Sequence, residues 1–281
     1  MKDIKVVFMG TPSFAVPILE SLIEKTNVVM VVTQPDREKD RKGNIIYSPC
    51  KELALKNNIE VFQPIKIKEE YQKVLDTKPD IIVTAAYGQI IPSVILDYPK
   101  YGCINVHGSL LPKLRGGAPV HHAIINGDKV AGVTIMYMDK KMDSGDIISQ
   151  RSINIDDNMI LDDLYYKLSI LGRDLLIDTL PSILNGTNSR IKQNEEEELQ
   201  NKHKMMQNAE KLKDNLFEID TNLNENAIIA ISNSIRSLEK IQDCGKEYSE
   251  KLSILKNSYY DIQELARDLS YMREEVDFDE N

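Results

Sequence analysis

Cysteine and histidine, the residues from which most metal and disulfide sites are built, are scarce in this sequence. Only three cysteines occur in 281 residues, and Cys50, Cys103 and Cys244 lie far apart without a Cys-x-x-Cys pair. The pattern indicates neither a disulfide framework nor a cysteine-based zinc site. The four histidines are too scattered for a metal cluster, so no metal is expected.

Long apolar runs are lacking as well. No stretch approaches the ~18 consecutive apolar residues that a membrane-spanning helix requires. The N-terminus, Met1-Lys-Asp-Ile4, leads directly into a strand-like run and has no signal-peptide pattern. No membrane partner is therefore expected, and a reduced cytoplasmic setting is predicted.

The glycine-rich motifs of nucleotide-binding proteins are also missing. The sequence contains neither Gly-x-Gly-x-x-Gly nor the Gly-x-x-x-x-Gly-Lys-Ser/Thr motif of ATPases. These absences argue against a dinucleotide site and against ATP hydrolysis by a P-loop mechanism.

Proline and glycine disappear almost completely from the last third of the chain. All eleven prolines fall at or before Pro181, and only Gly245 of the thirteen glycines lies beyond Gly186. From residue 195 onward the chain has 21 Asp and Glu but only 11 Lys and Arg. The whole chain has 44 acidic and 35 basic residues, so residues 1–194 contain 23 acidic and 24 basic ones. Two kinds of sequence, with net charges of +1 and −10, therefore meet near residue 195. We place a first domain at 1–190 and an acidic tail at 191–281.

Strand-like and helical patterns alternate through the first domain. Apolar runs at 4–9, 28–33 and 80–86 are typical of buried strands, and apolar residues recur at helical spacing over 14–23 and 161–180. Pro181 is expected to end the last of these helices. The pattern predicts an α/β fold with a Rossmann-like, doubly wound and mostly parallel sheet.

One strand carries polar groups that suggest an active site. In Cys103-Ile-Asn-Val-His107 the period-2 spacing puts the Asn105 amide and the His107 imidazole on one face. Open α/β sheets place active sites where a parallel strand ends in a loop. An isolated His is more often structural, and an Asn before a turn is usually a turn former. Their combination with Met142-Asp-Ser-Gly-Asp146 further along the chain favours the catalytic interpretation.

These motifs resemble a known family. Asn105-Val-His107, Ser109-Leu-Leu-Pro112 and Met142-Asp-Ser-Gly-Asp146 are similar to those of the formyltransferases that use 10-formyltetrahydrofolate. Further matches, Phe8-Met-Gly-Thr-Pro12 and Ala86-Tyr-Gly-Gln89 among them, narrow the likeness to the methionyl-tRNA formyltransferase family. The likeness runs from about residue 3 to about residue 194.

The resemblance implies formyl transfer from 10-formyltetrahydrofolate to the amino group of initiator methionyl-tRNA. It implies that Asn105 and His107 polarise the formyl carbonyl and stabilise the oxyanion, while Asp143 orients His107 and takes part in proton transfer. It also implies that the folate is held by two loops, whose residues are Ser109, Leu110, Leu111 and Pro112, and Tyr87, Gly88 and Gln89.

The polar segment at residues 34–49 has two interpretations. Its charge alone favours an exposed, solvated loop. The resemblance implies that Arg41 and Lys42 contact the tRNA acceptor end through phosphates, although Asp40 adds an acid where the family has none. His121 and His122 lie in a helical run and are expected at the surface or in a groove, without a role.

The acidic tail lacks any likeness to the β-barrel that completes the family. Its apolar residues recur every three to four positions, which predicts paired amphipathic helices. Gln207-Asn-Ala-Glu-Lys-Leu-Lys213 and Ala266-Arg-Asp-Leu-Ser-Tyr271 resemble the coiled-coil arm of the RecN-type DNA-repair ATPase. A generic acidic helical appendage is the alternative. We interpret the chain as a fusion whose tail self-associates or pairs with another helical protein.

Two further functions stay open beside tRNA formylation. The same three polar groups could formylate a small amine such as an amino sugar. Alternatively, the chain is a catalytically inactive fusion that acts as a helical interaction protein. The barrel is absent and the acidic tail repels RNA phosphates, so reduced activity on tRNA is expected.

Overall fold

The computed structural model describes residues 1–36, 45–156, 158–201 and 207. Residues 195–201 are helical. The predicted tRNA contacts at Arg41 and Lys42 lie outside the described residues, as does almost all of the predicted helical tail.

A seven-stranded sheet forms the centre of the part of the chain that the structure describes. Its strands are β1 Lys5–Gly10, β2 Asn27–Val32, β3 Glu60–Phe62, β4 Ile81–Ala85, β5 Cys103–His107, β6 Val130–Tyr137 and β7 Ile147–Asn154. They are ordered β3-β2-β1-β4-β5-β6-β7. The first five strands in this order, from β3 through β2, β1 and β4 to β5, pair in parallel. β6 pairs antiparallel with both β5 and β7. The predicted mostly parallel α/β sheet is thus confirmed.

Helices cover both faces of this sheet. A short 3-10 turn at Ser13–Ala15 precedes α1 Val16–Lys25, and the others are α2 Pro49–Lys56, α3 Ile67–Glu70, α4 Gln72–Asp76, α5 Ser93–Leu96, α6 Pro119–Ile125 and α7 Leu161–Asn185. β1 illustrates the packing, since Val6 and Phe8 join the core under α1 and α7, while Val7 and Met9 join a second core on the other face. Burial on both faces explains why the central strands are continuous apolar runs.

The long helix α7 continues through Pro181, so the prediction that it ends there is wrong. Proline cannot donate a hydrogen bond to the carbonyl one turn earlier, which usually breaks a helix. Here Leu180 and Ile183 on either side of it are buried in the core and keep the last turn in place. Gly186, in the left-handed conformation, ends the helix instead.

The same helix passes close behind β5. A Cβ atom built on Gly172 would lie 2.9 Å from Cγ1 of Val106, too close for a real contact. Val106 is the residue between Asn105 and His107. The absence of a side chain at position 172 therefore lets α7 support the strand that carries the two polar groups.

The sheet ends in β7, which receives one further contact from the segment after α7. Ile191 exchanges two backbone hydrogen bonds with Ile147, of 2.8 and 2.9 Å. This bridge brings residues 190–195 alongside the turn that joins β6 to β7. Among the residues described, no helix is both long enough and apolar enough to cross a membrane.

Candidate active site

A cavity of about 470 Å³ opens at the carboxyl ends of β4 and β5. Its walls include Asn105, His107 and Asp143, which come from separate parts of the sequence. Thr84, Phe14, Tyr87–Gln89, His121 and Tyr165 also line it. The position agrees with the rule that open α/β sheets bind ligands beyond the carboxyl ends of their parallel strands.

Asn105 is held at both ends of its amide. Its neighbour in the sheet, Thr84, donates a 2.8 Å hydrogen bond to the Asn105 Oδ1 atom. The Nδ2 atom of Asn105 donates in turn to Asp143 Oδ1 at 3.3 Å. Because a hydroxyl lies on one side and a carboxylate on the other, the amide presents its NH₂ group toward Asp143.

His107 is almost fully buried at the end of β5. Its Nε2 atom lies 2.9 Å from the carbonyl oxygen of Leu114, which can only accept, so Nε2 carries a hydrogen. Its Nδ1 atom lies 3.7 Å from Asp143 Oδ2. That separation is an ion-pair distance and exceeds a direct hydrogen bond.

Asp143 occupies a turn whose backbone is unusual. Its φ angle is +48°, in the left-handed region that few residues other than glycine adopt. The backbone N–H of Gly116 donates to Asp143 Oδ2 at 2.9 Å. Two residues later, a Cβ atom on Gly145 would overlap the carbonyl of Tyr137. The Met-Asp-Ser-Gly-Asp motif therefore needs its glycine for the close approach of two backbone segments.

The predicted folate loop at Ser109–Pro112 lies behind the cavity wall. The described residues that line the cavity include Gly108 and Gly116, on either side of this loop, but none of the four. Ser109 donates from Oγ to the Lys113 carbonyl at 2.6 Å, and Leu111 packs with Met136 and Ile147. In this structure the four residues shape the loop, and their contact with folate stays a prediction.

The second predicted folate segment lines the cavity directly. Tyr87 is buried, and burial raises the pKa of its hydroxyl. Its carbonyl accepts from the Gln34 side chain at 3.0 Å, while Gln89 Oε1 accepts from the Ile67 N–H at 2.9 Å. Tyr87, Gly88 and Gln89 therefore share one cavity with Asn105, His107 and Asp143.

The expectation that His122 lies at the surface or in a groove is wrong. Its side chain is buried in α6, and burial, with a smaller effect of nearby His121, lowers its pKa to about 4. His121 lines the cavity, and burial lowers its pKa as well. The helical spacing of residues 119–125 did not reveal that α6 turns His122 toward the core.

Three residues that contact the site were missed in the sequence. Thr84 orients the Asn105 amide, as described above. Arg115 and Gln193 bond to each other at 2.8 Å, and Gln193 reaches the Asp143 carbonyl at 2.9 Å. Thr84 and Gln193 lie outside the site motifs, and Arg115 follows the Ser-Leu-Leu-Pro motif without an assigned role, so only the fold shows their contacts with the site. In the part of the chain that the structure describes, no group of three or more His, Cys, Asp or Glu could hold a metal ion.

Comparison with known proteins defines the class. A family model described as formyl transferase matches residues 4–180, which is more than half of the chain. The chain therefore belongs to the formyl transferase family.

Two curated relatives of this chain have the same name, methionyl-tRNA formyltransferase. Methionyl-tRNA formyltransferase of Ligilactobacillus salivarius is 53% identical over 195 residues, covering 68% of this chain and 61% of the relative. The enzyme of the same name from Bacillus subtilis is 54% identical over 196 residues, covering 69% and 62%. The chain thus spans about three-fifths of the length of the curated relatives it matches.

Solved structures agree with the fold. The N-formyltransferase from Helicobacter canadensis, in complex with folinic acid and dTDP-3-aminofucose, is 26% identical to this chain. The match has a TM-score of 0.52 and covers 68% of each chain.

Proposed function

We propose that this chain transfers a formyl group from 10-formyltetrahydrofolate to the amino group of initiator methionyl-tRNA. The observation that carries the proposal is the meeting of Asn105, His107 and Asp143 at the wall of one cavity, with contacts between each side chain and at least one other. The identity of 53 to 54% to two methionyl-tRNA formyltransferases supports the acceptor.

In the proposed reaction the amine nitrogen attacks the formyl carbon. A new carbon–nitrogen bond forms, and the bond from the formyl carbon to N10 of the folate breaks. The amine loses one proton and N10 gains one, so the reaction balances without an oxidant or a reductant. A negative charge develops on the formyl oxygen while the carbon is tetrahedral, and hydrogen-bond donors aimed at that oxygen lower the barrier.

The chain supplies two such donors at the end of β5. The Asn105 NH₂ group is already oriented by Thr84. The Nε2–H of His107 donates to Leu114 in this structure, and the same N–H would donate to the formyl oxygen once a substrate replaces that carbonyl. Asp143 faces the other ring nitrogen, where it orients His107, and its carboxylate takes part in transferring the proton that the attacking amine loses.

Folate would occupy the part of the cavity lined by Tyr87, Gly88 and Gln89. The loop at Ser109–Pro112, whose neighbours Gly108 and Gly116 line the same cavity, is the second segment proposed to contact the folate. We propose that Arg41 and Lys42 contact the tRNA phosphates, as the resemblance to the methionyl-tRNA formyltransferase family implies.

The tail remains an interpretation of the sequence. We infer paired helices there, with the likeness to a RecN-type arm, and hence a fusion that self-associates or binds another helical protein. The alignments to the two relatives extend over 195 and 196 residues, which leaves this inference independent of them.

A second acceptor deserves a test because of one observation. The Helicobacter canadensis structure contains an amino sugar nucleotide, and its fold resembles this chain. Its identity of 26% is about half that of the methionyl-tRNA formyltransferases, so tRNA is the favoured acceptor.

The test is formylation by the full chain, with 10-formyltetrahydrofolate and either initiator methionyl-tRNA or an amino sugar nucleotide. Product on the tRNA alone is expected. His107→Ala removes the Nε2–H donor and should lower the rate at least ~100-fold. Thermal unfolding checks that the variant is folded.

Three other results would change the conclusion. Product on the sugar alone would favour the small-amine alternative. Equal rates for wild type and His107→Ala would contradict the role of His107. No product from either acceptor with a folded wild-type protein would favour the inactive fusion.

A further inference from the structure

The segment after α7 returns to the active site. Ile191 pairs with Ile147 at the start of β7, and this pairing places Gln193 beside the turn at residues 142–146. Gln193 lies outside every motif that indicated the active site.

The Gln193 amide uses both of its ends. Its Nε2 atom donates to the backbone carbonyls of Asp143, at 2.9 Å, and Gly145, at 2.8 Å. Its Oε1 atom accepts from Arg115 Nε at 2.8 Å. Both amide hydrogens and the carbonyl oxygen are therefore engaged, which fixes the side chain in one orientation.

Arg115 connects the Gln193 amide to the loop that contacts His107. Its neighbour Leu114 provides the carbonyl that contacts His107 Nε2, and its other neighbour Gly116 provides the N–H that binds Asp143 Oδ2. Its side chain is only 8% exposed, so the guanidinium requires partners. Gln193 is one, and Glu195, 3.2 Å from Nη2, is another.

The Gln193 amide therefore joins the turn that carries Asp143 to the loop at residues 114–116, whose backbone contacts both His107 and Asp143. The backbone of Asp143, with its positive φ, adopts a conformation that persists only where surrounding contacts determine it. The hydrogen bond from Gln193 to the Asp143 carbonyl is a contact of this kind.

We propose that Gln193 is a positioning residue for formyl transfer, which holds the turn that carries Asp143 against the loop that contacts His107. It acts through Asp143 and is not among the residues that line the cavity. The inference rests on the proposed function, because the roles of Asp143 and His107 come from it.

The sharpest test is Gln193→Glu, which changes one group without changing the shape of the side chain. Glutamate still accepts from Arg115 and adds an ion pair there. It cannot donate to the two carbonyls, and its second oxygen repels them. The added ion pair offsets the two lost hydrogen bonds, so the fold should be kept while the Asp143 turn loses its anchor.

Asn188→Asp is the matched control, because it makes the same amide-to-carboxylate change in the same segment. The Asn188 Oδ1 atom accepts from the Tyr137 hydroxyl at 3.3 Å, a bond that aspartate retains, and its Nδ2 atom donates to Ser189. Neither contact involves Asp143.

In steady-state formylation, Gln193→Glu should lower kcat at least ~10-fold, with KM for each substrate within ~2-fold, because misplacing a catalytic group by about 1 Å costs up to ~100-fold in rate. Asn188→Asp should keep kcat. Both variants should unfold at nearly the wild-type temperature. Equal kcat values for Gln193→Glu and Asn188→Asp would overturn the proposal. A lower kcat in Gln193→Glu that is matched by a lower melting temperature would overturn it as well, because a general loss of stability would then explain the loss of activity.

Gln193→Ala provides a second variant without added charge. It removes all three hydrogen bonds, so its kcat per folded molecule should also fall, and an unchanged kcat would overturn the proposal. If the wild type itself shows no formyl transfer, the proposed function fails, and Gln193 is then tested by NMR. The ring nitrogen signals of His107 should change in Gln193→Glu and not in Asn188→Asp, and unchanged signals in both would contradict the positioning role.

Discussion

Replacing Thr84 by valine tests how the Asn105 amide is oriented. Valine has nearly the shape of threonine, so the change removes a hydroxyl without leaving a void. The Thr84 hydroxyl donates to Asn105 Oδ1 at 2.8 Å and also lies 3.2 Å from the Ile104 carbonyl. Both Thr84 and Asn105 are less than a tenth exposed, so water cannot readily replace the lost donor.

The loss of stability expected in Thr84→Val depends on whether the Asn105 side-chain oxygen finds another hydrogen-bond donor. Rotating the amide would point that oxygen at the Asp143 carboxylate, which now accepts from Nδ2 at 3.3 Å, so rotation is unfavourable. The oxygen instead stays buried without a partner, at a cost of about 1–3 kcal/mol. For a domain of this size, that corresponds to a fall in melting temperature of roughly 2–10 °C.

The assay compares Thr84→Val with Thr84→Ser by thermal unfolding and by steady-state formylation. Serine keeps the donor and loses one methyl group, at a cost of about 1 kcal/mol. We expect kcat to stay near wild type in Thr84→Ser and to fall ~3- to 10-fold in Thr84→Val, because Asn105 is less firmly held. Equal kcat values for the two variants would refute the view that this hydroxyl orients the amide.

Two further predictions concern the turn and the core. Gly145→Ala places a Cβ against the Tyr137 carbonyl, so it should cost about 1–3 kcal/mol in urea unfolding and lower kcat, whereas Ser144→Ala in the same turn should do neither. His122 is buried with a pKa of about 4 against an ordinary 6.5, so the unfolded chain binds more protons between these values and stability falls as the pH drops through that window. Wild type should lose about 2 kcal/mol more than His122→Leu between pH 7 and pH 5, as measured by urea unfolding at both pH values, and parallel losses would contradict the buried neutral imidazole.

The parts of the site that could be predicted from the sequence are those encoded by local periodicity. The alternation in β5 placed Asn105 and His107 on one strand end, and the spacing of apolar runs indicated a mostly parallel sheet, as found. Asp143 was proposed because its motif resembles that of the family, and the structure brings its carboxylate to both side chains. Each of these signals lies within a short stretch of neighbouring residues, so it can be recognised in the sequence without the fold.

The parts that were missed depend on contacts between distant segments. Gln193 lies 50 residues after Asp143, and no spacing rule connects the two. The course of α7 through Pro181 depends on the burial of Leu180 and Ile183, which the identity of the proline does not reveal. His122 is buried in α6, which packs against α7, and a helix of seven residues is too short for the sequence pattern to show which side faces the core.

The bridge between Ile191 and Ile147 also bears on how the chain avoids unwanted association. β7 is the last strand of the sheet, and its first two residues, Ile147 and Ile148, are apolar. An uncovered strand edge with apolar side chains is a template onto which another chain can add a strand, and charged residues discourage such pairing. Arg151, paired with Asp178, provides the charge further along β7, whereas at its apolar start Ile191 occupies the hydrogen-bonding positions. A shortened protein that stops before residue 191 would expose that start, so self-association, rather than unfolding, is the first defect to expect from it.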